Sequence, residues 1–285
     1  MVVTRFAPSP TGLLHLGHAY SALFAFESAR SGDGRFLLRM EDIDPGRCRP
    51  EFESAILEDL AWLGLAWDAL VRRQSEHFDD YRAALGSLDA LDVVYPCFCT
   101  RKDIEDEIAR SGYAPHGPDG VLYPGTCRGM PMAERMRRLE AGMPHAVRLD
   151  GAKAAGLAGP LFWRDRSAGT VAARPELLGD VVLARKDVPT SYHLSVVTDD
   201  ALQGVTLVTR GQDLFHATHM HRLLQALLDL PTPDYHHHPL LTDDQGRRFA
   251  KRDRALTLRA LREAGHTPAQ VQSKAGFAGP ASVFT

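Results

Sequence analysis

Residues 5–18 read Arg-Phe-Ala-Pro-Ser-Pro-Thr-Gly-Leu-Leu-His-Leu-Gly-His. Two histidines, His15 and His18, flank Gly17 behind a turn broken by Pro8, Pro10 and Gly12. A helix beginning there presents N–H groups and the positive end of its dipole to an anion. Two imidazoles at the same mouth add donors, so the chemistry on offer is phosphate binding. A solvated turn that happens to hold histidines is the plain alternative. Further along, Glu41, Asp42 and Asp44 follow an apolar run. A carboxylate at that point either pairs with a substrate amine or caps the helix expected near Pro50. Tyr192 and Arg210 could each hold a carboxylate, the first through its hydroxyl and the second in fork geometry. Otherwise they are a core tyrosine and a surface arginine.

Cys97, Cys99 and Cys127 offer three thiolates, which suits a structural zinc with four tetrahedral ligands. The residues alone leave His116, Asp119 and Tyr123 open as the fourth ligand, and three buried free thiols as the alternative. Cys48 reads as a loop residue. Basic residues gather at Arg135, Arg137 and Arg138, and again at Arg247, Arg248, Lys251, Arg252 and Arg254. Either group is a phosphate contact or a solvated face.

Several elements must carry these groups. Val2, Val3 and Phe6 suit a buried strand, 19–29 a helix, and 35–40 a second strand. Residues 51–63 form an amphipathic helix, and another runs from 74 to 91 with Tyr81 in the core. The α/β rhythm breaks over 93–179, a Gly- and Pro-rich stretch holding three of the four cysteines. It contains helices at 101–110 and 135–140, strands at 146–149, 161–163 and 169–171, and a small-residue mobile loop at 151–159. The rhythm returns with strands at 180–186 and 205–211, a helix opening at Tyr192, and a helix over 216–230. On that last helix His216, His219 and His221 are expected at the surface. A loop and final strand cover 235–241. This implies an α/β domain in two halves, 1–92 and 180–245, with an inserted α+β subdomain at 93–179. A loop and short helical tail occupy 246–285.

The chain has 285 residues, 44% hydrophobic and 24% charged, with a net charge of -3. That supports a real core in a soluble protein. No apolar run approaches the ~20 residues of a membrane helix. No membrane partner and no secretory signal are expected, so the expected location is cytoplasmic.

Residues 5–18 resemble the HIGH signature of the class I aminoacyl-tRNA synthetases, and Arg-Phe-Ala-Pro-Ser resembles the glutamyl and glutaminyl branch. Arg39-x-Glu41-Asp42-x-Asp44 resembles the glutamyl branch, where the position of Glu41 holds the amino group of glutamate. The CxC pair followed by Tyr123-x-x-x-Cys127 resembles the zinc site of the glutamyl-queuosine tRNA(Asp) synthetases, half-length relatives of glutamyl-tRNA synthetase. Residues 244–252 resemble the KMSKS loop, with Lys251 retained, Arg248 for the first lysine, and Ala250 and Arg252 for the serines. The resemblance implies a Rossmann-like catalytic domain with an inserted zinc-binding, RNA-stem-binding subdomain. It implies catalysis by His15, His18 and Lys251, with ATP and Mg²⁺ at His15, Gly17, His18 and Lys251. It implies L-glutamate at Arg5, Phe6, Ala7, Pro8, Ser9, Glu41, Tyr192 and Arg210. One structural Zn²⁺ would sit on Cys97, Cys99, Tyr123 and Cys127. The implied reaction is tRNA-independent, ATP-dependent activation of glutamate, then transfer to the queuosine base at the wobble position of tRNA(Asp). The alternatives are a short glutamyl-tRNA synthetase charging a tRNA 3′ end and an idle zinc- and tRNA-binding module. Val196 stands where the full-length glutamyl enzymes have an asparagine, which is expected to alter the glutamate pocket. No counterpart of their anticodon-binding region is expected.

Overall fold

The structure, a computed structural model, describes residues 1–111, 116–118, 120–241 and 257–277. The KMSKS-like loop, with Arg248, Lys251 and Arg252, lies outside the described residues, as does Asp119.

Chain order alternates strands and helices at both ends. The first half runs β1 (Val3–Phe6), α1 (Leu16–Arg30), β2 (Arg35–Met40), α2 (Pro50–Trp62), β3 (Arg72–Arg73) and α3 (Phe78–Ala90). Then come β4 (Val94–Cys97), α4 (Arg101–Ser111), β5 (His116–Gly117), β6 (Gly120–Val121), α5 (Met132–Glu140), β7 (Ala146–Leu149), α6 (Gly151–Ala158), β8 (Phe162–Asp165) and β9 (Gly169–Ala172). The chain continues through β10 (Val182–Ala184), α7 (Tyr192–Leu202), β11 (Leu207–Gly211), α8 (Ala217–Leu227), β12 (Asp234–His238), α9 (Leu258–Glu263) and α10 (Pro268–Lys274).

The strands β1, β2 and β3 are parallel neighbours, and β11, β12 and β8 form a second parallel set that β9 edges antiparallel. Thr206 ties the two sets together: its N–H donates to the Val3 carbonyl at 3.0 Å, and its hydroxyl accepts from the Val3 N–H at 2.9 Å. The chain order reverses between β1 and β11, and open α/β sheets bind ligands at such a switch point. The β2 strand is buried almost end to end, Phe36 through Met40, as a parallel strand covered on both faces must be. One apolar cluster packs α1, α2, α9 and α10 on one side of the sheet. A second packs α3, α6, α7 and α8.

The third sheet is antiparallel, in the order β10-β7-β4. Strand pairing therefore crosses residue 180: β10 belongs with β4 and β7, while the β8–β9 hairpin joins β12. The stretch expected as a mobile loop at 151–159 is instead α6. Its cap is Asp150, whose carboxylate accepts from the Lys153 N–H at 3.1 Å. Four alanines give it helix propensity, and Gly159 ends it at φ 68°. The small residues that read as loose are needed for closeness: a Cβ on Gly151 would sit 2.8 Å from the Gly179 carbonyl oxygen. On α8, His219 and His221 are buried rather than exposed.

Candidate active site and metal centre

The histidine motif folds as a reciprocal cap. The Nδ1 of His15 accepts from the Gly17 N–H at 3.1 Å, and the Nδ1 of His18 accepts from the His15 N–H at 3.2 Å. With each Nδ1 accepting, a neutral ring carries its proton on Nε2. Gly17 is tightly placed: a Cβ there would meet the His15 ring at 3.0 Å, so the ring would have to give way.

His15, Gly17 and His18 line a cavity of about 520 Å³ at the switch point between β1 and β11. Arg5, Phe6 and Ala7 enter from the end of β1, Glu41 from the end of β2, Tyr192 from the start of α7 and Arg210 from β11. The structure thus gathers nine of the residues expected from the sequence into one cavity. Pro8 and Ser9 are not among its lining residues. The Pro8 carbonyl instead accepts from the Glu41 N–H at 3.0 Å, and Ser9 is exposed. Val196 does not line the cavity either; it packs in the apolar cluster of α3, α7 and α8. Asp42 and Asp44 serve local structure. Asp42 accepts from the N–H and hydroxyl of Ser75, and Asp44 pairs with Arg185 at 3.1 Å.

Buried charges behind the cavity hold its arginines. Arg5 forks onto Asp200, at 2.9 Å from Nε and 3.4 Å from Nη2, and donates to the Thr209 carbonyl at 3.2 Å. Of its five N–H groups, one on each terminal nitrogen is left to face a ligand. Arg39, fully buried, donates to Asp200 at 2.8 Å and to Gln203 at 2.9 Å, and lies 3.6 Å from Glu41. Burial pushes the Glu41 carboxyl above its ordinary range, against the pull of Arg39 and Arg5. Burial works the same way on Asp200, but Arg5 and Arg39 outweigh it and hold that carboxyl low. Asp199 accepts from Arg72 at 2.7 Å, Gln74 at 2.7 Å and the Tyr81 hydroxyl at 2.9 Å. None of Arg39, Asp199 or Asp200 was expected as a supporting group. A charged residue inside the apolar run Phe-Leu-Leu-Arg39-Met was the available signal.

Arg210 is held on three sides. Its Nε donates to His237 Nε2 at 3.1 Å, its Nη1 to the Tyr192 hydroxyl at 3.3 Å and to His221 Nδ1 at 3.2 Å, and its Nη2 to the Thr218 hydroxyl. Arginine only donates, so His237 carries its proton on Nδ1, which donates to Asp165 at 2.7 Å. His221 by the same logic carries its proton on Nε2, 3.2 Å from His193 Nδ1. Burial first, and Arg210 second, push His237 and His193 down to about 4 and His221 well below the usual range. All three rings are neutral props for one cation.

The cysteines converge as a separate knot. The Sγ atoms of Cys97, Cys99 and Cys127 lie within 4.8 Å of one another. The Tyr123 hydroxyl sits 3.4 Å from Cys97 Sγ and 3.5 Å from Cys99 Sγ, and accepts from the Cys127 N–H at 2.8 Å. Burial drives Cys99 up to about 12 and Tyr123 upward as well. Burial opposes ionisation at Cys127 too, but hydrogen bonds from Tyr123 and the Phe98 N–H bring that thiol down. The three thiols, with the Tyr123 hydroxyl beside them, are tucked against Tyr95, Phe98 and Leu139 and form a cluster that could hold a metal ion. The Arg148 guanidinium lies over the Tyr123 ring, 3.9 Å from its centroid, in a cation–π contact. On neighbouring α5, Glu134 neutralises Arg137 and Arg138 at 2.7 and 2.6 Å, so that helix is less basic than its sequence reads.

A family model described as tRNA synthetases class I (E and Q), catalytic domain, matches residues 1–277. The Glutamyl-Q tRNA(Asp) synthetase of Rhodobacter capsulatus is 50% identical over 281 residues, covering 97% of this chain and 100% of that protein. The protein of that name from Nitratidesulfovibrio vulgaris is 43% identical over 285 residues, covering 95% of this chain and 84% of its own. A glutamate tRNA ligase from Elizabethkingia meningosepticum, solved in complex with its amino acid, superposes with a TM-score of 0.76 at 29% identity. The match covers 88% of this chain and 52% of that one, so the chain spans about half the length of that solved structure. Among the described residues no helix is long and apolar enough to cross a membrane. Fold and relatives agree: the chain belongs to the class I tRNA synthetases of the E and Q type, and within them to the glutamyl-Q tRNA(Asp) synthetase family of ligases.

Proposed function

We propose that this chain activates L-glutamate with ATP, without help from tRNA, and passes it to the queuosine base at the wobble position of tRNA(Asp). The observation that carries the reading is the convergence of His15, His18, Glu41, Tyr192, Arg5 and Arg210 on one cavity. The names of the relatives at 50% and 43% identity support the acceptor.

In the first step a glutamate carboxylate oxygen attacks the α-phosphorus of ATP and pyrophosphate leaves. Holding both reactants in one cavity lowers that barrier. His15 and His18 offer neutral Nε2–H donors to charge developing on the phosphates. Lys251 is assigned to the leaving pyrophosphate, and Mg²⁺ accompanies ATP. Glu41 accepts from the ammonium group, while Arg5, Arg210 and the Tyr192 hydroxyl take the carboxylates. In the second step an acceptor hydroxyl oxygen attacks the glutamyl carbonyl carbon and AMP leaves. Cys97, Cys99, Tyr123 and Cys127 would hold one structural Zn²⁺, fixing the fold of the segment assigned to cradle the RNA stem. That segment reads RNA by shape and phosphate contacts.

The test offers labelled glutamate to three RNAs: queuosine-bearing tRNA(Asp) trimmed of its 3′ end, the same tRNA lacking queuosine, and intact tRNA(Glu). Label on the first alone is expected. Label on tRNA(Glu), with none on the trimmed tRNA(Asp), makes the chain a short glutamyl-tRNA synthetase. No glutamate-dependent ATP–pyrophosphate exchange makes it an idle RNA-binding module.

A further inference from the structure

We infer that a second cavity of about 360 Å³, which shares Tyr192 with the first, is the subsite for the hydroxyl-bearing ring of the acceptor nucleoside, and that Ser191 reads it. The inference rests on the proposed function and adds where the acceptor sits. Its lining includes Leu122, Arg148, Asp180, Ser191, Tyr192 and His193.

Ser191 is the key residue. It occupies the N-cap position of α7 with extended backbone, where a serine ordinarily accepts an N–H from the first turn, yet its side chain makes no cap bond. The residue is 8% exposed, and its Oγ has no hydrogen-bond partner among the described residues. A buried hydroxyl that neither caps nor pairs breaks the local rules of the fold, and such exceptions gather where a ligand supplies the missing partner.

The surrounding groups define the ligand. Arg148 Nε is also unpartnered among the described residues, while its Nη1 is anchored on the Asp180 carbonyl at 2.7 Å. His193 receives the His221 proton on Nδ1, so its own proton sits on Nε2. The Asp180 carboxylate is already taken by Tyr95, by Arg128 at 2.9 Å and by the Gly151 N–H at 3.0 Å. The cavity therefore offers one hydroxyl that gives and accepts, N–H groups of the Arg148 guanidinium and the His193 ring, and apolar walls. That set suits a compact ring bearing hydroxyls. Tyr192 lines both cavities, so a hydroxyl bound beside Ser191 lies next to the site of the activated carboxyl.

The experiment compares wild type, Ser191→Ala and Ser191→Thr in two assays: ATP–pyrophosphate exchange with glutamate, and glutamate transfer to queuosine-bearing tRNA(Asp). Ser191→Ala has no cap bond to lose and is expected to melt no lower than wild type. Its kcat/KM for the RNA should fall about tenfold, mainly through KM, as for loss of one buried hydrogen bond to substrate. Exchange should stay within about twofold, because Ser191 does not line the first cavity. Ser191→Thr, which keeps the hydroxyl, should restore transfer. Unchanged transfer by Ser191→Ala overturns the inference, and so does a parallel fall in exchange. A wild-type chain that exchanges but labels no queuosine-bearing RNA refutes the proposed function itself, and the subsite with it.

Discussion

Asp165→Asn should weaken glutamate binding although Asp165 does not line the cavity. Its Oδ1 accepts the N–H groups of Ser167 and Ala168 at 2.8 and 2.9 Å, and an asparagine oxygen can keep both. Its Oδ2 accepts from the His237 Nδ1 at 2.7 Å and the His237 N–H at 3.2 Å, and there the variant places an NH₂ donor. Donor then faces donor. His237 must move its proton to Nε2 to relieve the clash at Nδ1, which sets a second donor against Arg210 Nε, 3.1 Å away. Arg210 loses its fixed partner on that side and the His237 N–H is left buried without one. A hydrogen bond to a charged group is worth roughly 1.5–3 kcal/mol, so KM for glutamate should rise about 10- to 100-fold. KM for ATP should stay near wild type. The assay is pyrophosphate exchange with glutamate and ATP varied separately, on protein whose melting curve shows it folded. A folded Asp165→Asn with KM for glutamate within about twofold of wild type refutes the argument that this relay orients Arg210.

Other outcomes follow from the same geometry. Protein purified without chelator should carry about one zinc per chain, and Cys127→Ser should lose it and destabilise the 93–179 region through metal-linked folding while glutamate activation persists; metal analysis finding no zinc in wild type removes the assignment. His237 and His193 sit at about 4, below the ordinary 6.5, so the unfolded chain binds more protons between those values. Stability should be level above pH 7 and fall as pH drops from 6.5 towards 4, and a melting temperature unchanged between pH 7 and 5 contradicts it. Burial raises Asp59 to about 6 against the pull of Arg262 and Arg259, and neither carboxylate oxygen has a hydrogen-bond partner among the described residues. Its ionised form costs stability above pH 6 and nothing below about 4. Asp59→Asn should therefore gain about 1–2 kcal/mol at pH 8, shrinking to zero near pH 4, as chemical denaturation at the two pH values would show.

The sequence made the reacting groups legible because they are spaced within short motifs. His15 to His18, the CxC pair and the strand-end Glu41 each depend on a few consecutive residues. The supports were hidden because they come together only through topology. Asp200 meets Arg5 across 195 residues and Asp165 meets His237 across 72, and no local pattern encodes such pairs. The histidines of α8 looked like surface residues since histidine usually is one; burial at His221 follows from Arg210, which consumes its lone pair. The 151–159 stretch failed for a different reason. Glycine and alanine read as looseness, yet alanine is the best helix former and Gly151 is small because Gly179 passes close by. Val196, expected to alter the glutamate pocket, packs instead in the apolar cluster and does not line the cavity.

The reciprocal cap of His15 and His18 divides each imidazole between two duties. One edge of the ring starts α1, and the opposite edge is the one that can meet a substrate. Swapping in a different capping residue could preserve the helix and would silence the reactive edge, while a residue with only the reactive function would lose the first turn. A proton added to either ring lands on the nitrogen that accepts the backbone N–H, so acid would unpin the helix start in the same event that changes the ring's charge. Under acid, architecture and reactivity at this loop therefore have a common failure mode.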